Sequence, residues 1–108
     1  MINYEDFAKI EIKMGKIITA EKVPETDKLL KLEVDFGEEN NRTMVSGIAH
    51  AISPEEIINK TSPFVVNLEP RTIKGIESQG MIMVAVDDDD KPILLEPNKE
   101  VKPGSIVR

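Results

Sequence analysis

The sequence predicts an all-β domain: a five-stranded barrel with one short helix after the third strand and an extension at each end. Three observations carry this expectation. Leu30, Leu32, Val34 and Phe36 alternate with Lys31, Glu33 and Asp35, the period-two pattern of a strand with one wet face. Helix-start chemistry is concentrated in one place, Ser53-Pro54-Glu55-Glu56. The first apolar segment breaks its alternation beside a glycine, as a strand bent to serve two sides of a small barrel does.

Taken in order, Asn3 followed by Asp6, with Tyr4, Phe7, Ala8 and Ile10 nearby, predicts a short capped helical turn that acts as a docking segment. Ile10, Ile12 and Met14 alternate, and apolar residues resume out of phase at Ile17 and Ile18, so one long strand is expected to bend at Gly15. After a turn over Pro24–Lys28 comes the strand containing Leu30 to Phe36. Gly37–Asn41 is a polar turn, and Arg42–Ser46 should return as the second arm of a hairpin. Gly47 ends that strand. With Ser53 as N-cap, Pro54 at the first helical position, Glu55 and Glu56 in the first turn and Lys60 near the end, a two-turn helix follows. The strands Pro63–Leu68 and Gly80–Val86 flank an irregular polar loop. Three strands, a helix and two strands is the order of an OB-fold.

Residues 1–108 are read as one domain, with 1–9 and about 91–108 as extensions. The tail contributes Ile93, Leu94, Leu95, Val101, Ile106 and Val107, more apolar surface than five strands require. It either caps the barrel of its own chain or meets a second copy, and the extensions are expected to serve dimerisation.

Whole-chain properties bound the function. A hydrophobic content of 40% and a charged content of 31% fit a globular protein, and no apolar run reaches the ~20 residues of a membrane helix. The start, MINYEDFAKI, does not read as a signal peptide. There is no cysteine, which excludes disulfides and thiolate chemistry. A cytoplasmic location is expected. The net charge of −6 opposes indiscriminate polyanion binding, but the acidic residues gather at Glu38–Glu39, Glu55–Glu56 and Asp87–Asp90. From Lys13 to Lys31 there are five lysines against three acids, Glu21, Glu25 and Asp27, so a local basic face is compatible with the total.

Catalytic and metal chemistry lack their usual parts. The one histidine, His50, has no evident orienting partner, and no glycine-rich phosphate loop is present. Asp87–Asp90 lacks the spacing of a calcium loop and sits where a hairpin should turn. Glu55 and Glu56 are accounted for by helix-start electrostatics. No cofactor, no metal and no enzymatic activity are expected.

The stretch from Asn67 to Met83 is the candidate site. It holds Arg71, Lys74, Ser78 and Gln79, with Pro70, Gly75 and Gly80 shaping its turns, and such groups supply hydrogen bonds and charge to an anionic partner. The aromatic residues are Tyr4, Phe7, Phe36 and Phe64, and the last two fall at core-facing phases. Few rings remain for base stacking. Recognition of a folded RNA by shape is the reading left.

The segments DKLLKLEVDFG, VSGIA, NLEPRTIKGIESQGMIM and the closing KPGS resemble the tRNA-binding domain found at the C-terminus of bacterial methionyl-tRNA synthetases. The chain is similar as well to the tRNA-binding domain of the aminoacyl-synthetase-associated cytokine precursor and to small free-standing tRNA-binding proteins. Because it starts at Met1 with no synthetase attached, it most resembles the free-standing form, such as the separate beta chain of methionyl-tRNA synthetase. The resemblance implies a non-catalytic, structure-dependent tRNA binder, a homodimer, and the synthetase catalytic chain as a partner. It places Asn67, Arg71, Lys74, Ser78 and Met81 on the tRNA-facing surface, with Lys28 and Ser46 on neighbouring loops. Arg71 and Lys74 would neutralise phosphates, Asn67 and Ser78 would donate hydrogen bonds, and Met81 would touch a base or ribose or else pack in the core. The alternative is the CsaA chaperones, export-related binders of unfolded polypeptides that share the fold.

Overall fold

A computed structural model describes residues 1–108. The barrel strands are β1 (Ile12–Lys22), β2 (Leu30–Asp35), β3 (Arg42–Ser46) and β4 (Thr61–Val65), with β7 (Met81–Ile82) after two further strands, β5 (Arg71–Ile73) and β6 (Ile76–Ser78). The order across the antiparallel sheet is β3-β2-β1-β4-β7, that of a nearly closed five-stranded barrel of OB type. One helix, α1 (Tyr4–Ala8), precedes it and another, α2 (Pro54–Ile57), lies between β3 and β4. A ribbon of β8 (Val84–Val86) and β9 (Pro92–Leu94) turns through Asp87–Asp90, and β10 (Ile106–Val107) returns to pair with β1.

The long first strand passes from one partner to another. Its residues Ile12–Lys16 pair with β4 and Lys16–Lys22 with β2. The handover falls beside Gly15, but the register irregularity lies between Ile17 and Thr19, not at the glycine. Gly15 is needed for a different reason. A Cβ there would stand 2.5 Å from Val34 Cγ1 and 2.6 Å from Phe36 Cε1, so the strand crosses the core closer than any side chain permits.

Leu32, Val34 and Phe36 project inward as their phase requires and meet Ile17, Met44 and Phe64. Phe36 and Phe64 pack edge to face with centroids 5.3 Å apart, a favoured aromatic geometry. Ile48, Ile52 and Ile57 belong to the same core, so α2 and the segment before it close one end of the barrel.

Helix α2 is a single turn, where the sequence predicts two. Ser53 occupies the N-cap without a side-chain capping bond, and Ile58 already has extended backbone. Asn59 turns to φ +69, its N–H donates to Ile17 O at 2.7 Å, and Ile17 N–H donates to Lys60 O at 2.9 Å. Pairing with β1 takes the backbone away from the helix. At the N-terminus Asn3 Oδ1 accepts from Asp6 N at 2.9 Å, the expected cap.

The polar connection after β4 is not irregular. Residues Arg71–Ile73 and Ile76–Ser78 form a hairpin with Ile73 opposite Ile76. Its central residues Lys74 and Gly75 have φ +52 and +78, as a type I′ turn requires. The predicted strand Pro63–Leu68 begins earlier, at Thr61, and ends at Val65; Gly80–Val86 divides into β7 and β8.

The barrel closes between β3 and the segment Ser78–Met81 largely through side chains standing in for a ladder. Gln79 N–H donates to Thr43 O at 2.8 Å, and Thr43 N–H donates to Gln79 Oε1 at 2.9 Å. Val45 N–H donates to Ser78 Oγ at 3.0 Å. Arg42 Nη1 donates to Val66 O at 2.7 Å and Gln79 O at 3.3 Å. The rest of its guanidinium makes two bonds to the Glu38 carboxylate, at 2.9 and 2.8 Å, and lies 5.5 Å from the Phe36 ring centre.

Candidate nucleic-acid interface

The β5–β6 hairpin leans over the outer side of β3. Strand alternation puts Arg71, Ile73, Ile76 and Ser78 on one side of the hairpin and Thr72 and Glu77 on the other. The first side faces the barrel. Arg71, Ile73 and Ser78 line a small pocket of about 90 Å³ together with Val45, Leu68 and Met81. A neighbouring open groove runs from Lys31 and Thr43 on the barrel to Gly75 and Ile76 at the hairpin tip. The two concavities flank the hairpin.

Three cations border this face: Arg71 at the pocket, Lys31 in the groove and Lys74 at the exposed tip. Glu69 lines the pocket and Glu77 the groove, so the field is mixed in sign. Lys31 approaches Glu21 only at 4.0 Å, which leaves its ammonium largely to solvent or a ligand. Leu68 is 48% exposed and Met81 50% exposed; they supply an apolar floor beside Arg71. This combination of guanidinium, ammonium and polarizable apolar surface suits phosphate, ribose and an occasional base.

The residues predicted for the site divide into those that share this face and those that do not. Arg71 and Met81 border the pocket, and Lys74 projects at the tip. Ser78 also reaches the pocket wall but is 5% exposed. Its hydroxyl accepts from Val45 N–H and donates to Gly80 O at 3.2 Å, so its bonds go to the seam. Asn67 Oδ1 accepts from Glu11 N–H at 2.9 Å and its Nδ2 donates to Lys9 O at 2.7 Å; it grips the N-terminal segment. Lys28 lies on the β1–β2 loop, where its carbonyl accepts from Ala49 N–H at 2.8 Å. Ser46 is the last residue of β3, opposite Leu30. Neither lines the pocket or the groove. Pro70 is exposed just before β5, and Gly75 and Gly80 both have positive φ.

Sequence reasoning missed Lys31 and Arg42. The signal for Lys31 was present, since its outward phase on β2 is plain. Arg42 carries no comparable mark, because its value lies in carbonyls contributed from residues 66 and 79. Hydrogen bonding to Glu38 raises the Arg42 pKa, and the same bond holds the Glu38 carboxyl below its ordinary value. His50 is exposed, and no group of three or more metal-binding side chains converges. No helix is long and apolar enough to cross a membrane.

Comparison with known proteins gives the site a context. The family model described as "Putative tRNA binding domain" matches residues 12–106. A methionine–tRNA ligase from Methanococcoides burtonii is 42% identical over 107 residues, covering 99% of this chain and 16% of the ligase. The chain thus spans about a sixth of that relative's length. Among solved structures, the MetRS-related protein from Pyrococcus horikoshii superposes with a TM-score of 0.94 at 44% identity, over 100% of this chain and 98% of the other. The chaperone CsaA from Bacillus anthracis superposes with a TM-score of 0.89 at 30% identity, over 100% and 99%.

Proposed function

The chain belongs to the tRNA-binding domain family, and from that premise we propose that it holds folded tRNA by shape on the face built from β2, β3 and the β5–β6 hairpin. The role is that of a non-catalytic accessory to a methionyl-tRNA synthetase catalytic chain, as its beta chain, raising the tRNA concentration near the enzyme. The observation that supports it most is Lys74. It sits at the tip of a two-residue turn with φ +52, a conformation that disfavours residues other than glycine, asparagine and aspartate. A lysine there in place of asparagine or glycine displays a charge at a conformational cost, which is how functional positions are often marked.

Two copies would act together in the cytoplasm. Phe7, Ile10 and Ile106 are exposed apolar residues around a groove that both ends of the chain help to line. The family resemblance implies a homodimer, and this exposed apolar groove supports a second copy as its occupant, so that two RNA-facing surfaces engage one tRNA.

The test is binding to bulk tRNA, unstructured RNA and an unfolded polypeptide across a salt series. Preference for tRNA, with affinity falling as salt rises, is expected. Equal affinity for tRNA and unstructured RNA overturns the reading. The second reading is a CsaA-like polypeptide binder, favoured by the exposed Leu68 and Met81 beside the pocket. Preference for the unfolded polypeptide, insensitive to salt, would select it.

A further inference from the structure

Asn67 stands where β4 leaves the sheet. Val66 N–H donates to Glu11 O at 2.9 Å, a main-chain rung between that strand's end and the approach to β1. The next rung is made by a side chain: Glu11 N–H donates to Asn67 Oδ1 at 2.9 Å, and Asn67 Nδ2 donates to Lys9 O at 2.7 Å. A carboxamide offers the same donor and acceptor as a peptide unit. The Asn67 side chain therefore occupies the place of the peptide group that β4 would present if it ran one residue further. Pairing continues past the end of the strand while the main chain is released at Leu68 toward the hairpin.

Both ends of this tie matter. On one side, Glu11 and Ile10 line the groove together with Tyr4 and Phe7 of α1. On the other, Leu68 and Glu69 form the wall of the pocket next to Arg71. Pro70 follows and restricts Glu69 to extended backbone, so a direction set at Asn67 is carried into β5 by a short, stiff link.

We infer that Asn67 is a positioning residue: by tying residues 9–11 to the foot of the β5–β6 hairpin, it makes the aim of the RNA-facing surface depend on how the N-terminal segment is seated. This rests on the reading that the hairpin faces tRNA. It differs from the direct hydrogen-bonding role that the sequence resemblance gives Asn67, because both polar groups of the side chain are already engaged within the chain.

The test uses the full chain with bulk tRNA, together with amide hydrogen exchange. In Asn67→Ala the Glu11 amide should exchange faster, and tRNA affinity should weaken roughly tenfold, the scale of losing one or two exposed hydrogen bonds. Asn67→Asp keeps an acceptor for Glu11 N–H but turns its second oxygen toward Lys9 O, so it should slow Glu11 exchange relative to Asn67→Ala, while its added negative charge leaves tRNA affinity as low as in Asn67→Ala or lower. Phe7→Ala, which loosens the same segment, should combine with Asn67→Ala less than additively. Weakened affinity with Glu11 protection unchanged would make Asn67 a direct RNA ligand and overturn the inference. So would faster exchange with unchanged affinity, or full additivity with Phe7→Ala. If the wild-type protein binds no tRNA while Asn67→Ala still speeds Glu11 exchange, the tie stands but the tRNA reading fails, and the inference about RNA fails with it.

Discussion

Ser78 looks from the sequence like a loop hydroxyl free to meet a ligand, yet in the fold it is the acceptor for Val45 N–H. Nothing local signals this, because the partner lies 33 positions earlier and is brought close only by barrel closure. Ser78→Ala should cost about 1–3 kcal/mol in denaturant unfolding, the penalty for a buried N–H left without an acceptor. Arg42 and Glu38 give a pH-dependent counterpart. The Glu38 pKa is lowered in the folded protein by its hydrogen bonds to Arg42. The stabilisation is thus present above its ordinary value of 4.5 and is lost as pH falls through the lower folded value. Thermal unfolding of Glu38→Gln should lose part of the wild type's steepness below about pH 4.5, with little difference between the two slopes near neutrality.

At the scale of elements, legibility followed how local the cause was. β2 was readable because its burial alternates without a fault, and the Asn3 cap because donor and acceptor are three residues apart. The length of α2 was not, since Asn59 and Lys60 are claimed by β1 from across the barrel. The β5–β6 hairpin escaped for another reason. Its turn is Lys74-Gly75 where the recognisable signal is Asn-Gly or Asp-Gly, and its arms are only three residues each. Of the candidate site, Arg71, Lys74 and Met81 were legible as a cluster, whereas the barrel-facing side of the hairpin depends on a register that composition does not encode. Lys74→Asn tests the separation of fold and display. It should stabilise the hairpin by roughly 1 kcal/mol, because asparagine tolerates the left-handed backbone of the turn better than lysine, and should weaken tRNA binding; thermal melts and a binding titration on the same sample report both.

At the scale of the whole molecule, the two ends of the chain meet on one side of the barrel. Ile12 pairs with both Val65 and Val107, so β10 joins the strand that α1 leads into, and the apolar residues of both extensions share one groove. The period-two signal of the tail was too short to assign, and its partner within the chain lies almost at the opposite terminus. If a second copy covers this groove, Ile106→Glu should shift sedimentation from dimer to monomer at micromolar concentration while leaving the monomer's fold intact, because Ile106 is 66% exposed. The seam between β3 and Ser78–Gln79 bears on how the protein comes to be built. It joins residues 36 positions apart, whereas β1, β2 and β3 meet through neighbouring turns, so loop-closure entropy makes the seam a late step in folding. The face beneath the hairpin exists only once that step is complete. A nucleic acid gripped there would therefore leave the folding rate almost untouched and retard unfolding, lengthening the lifetime of a molecule that has already finished assembling.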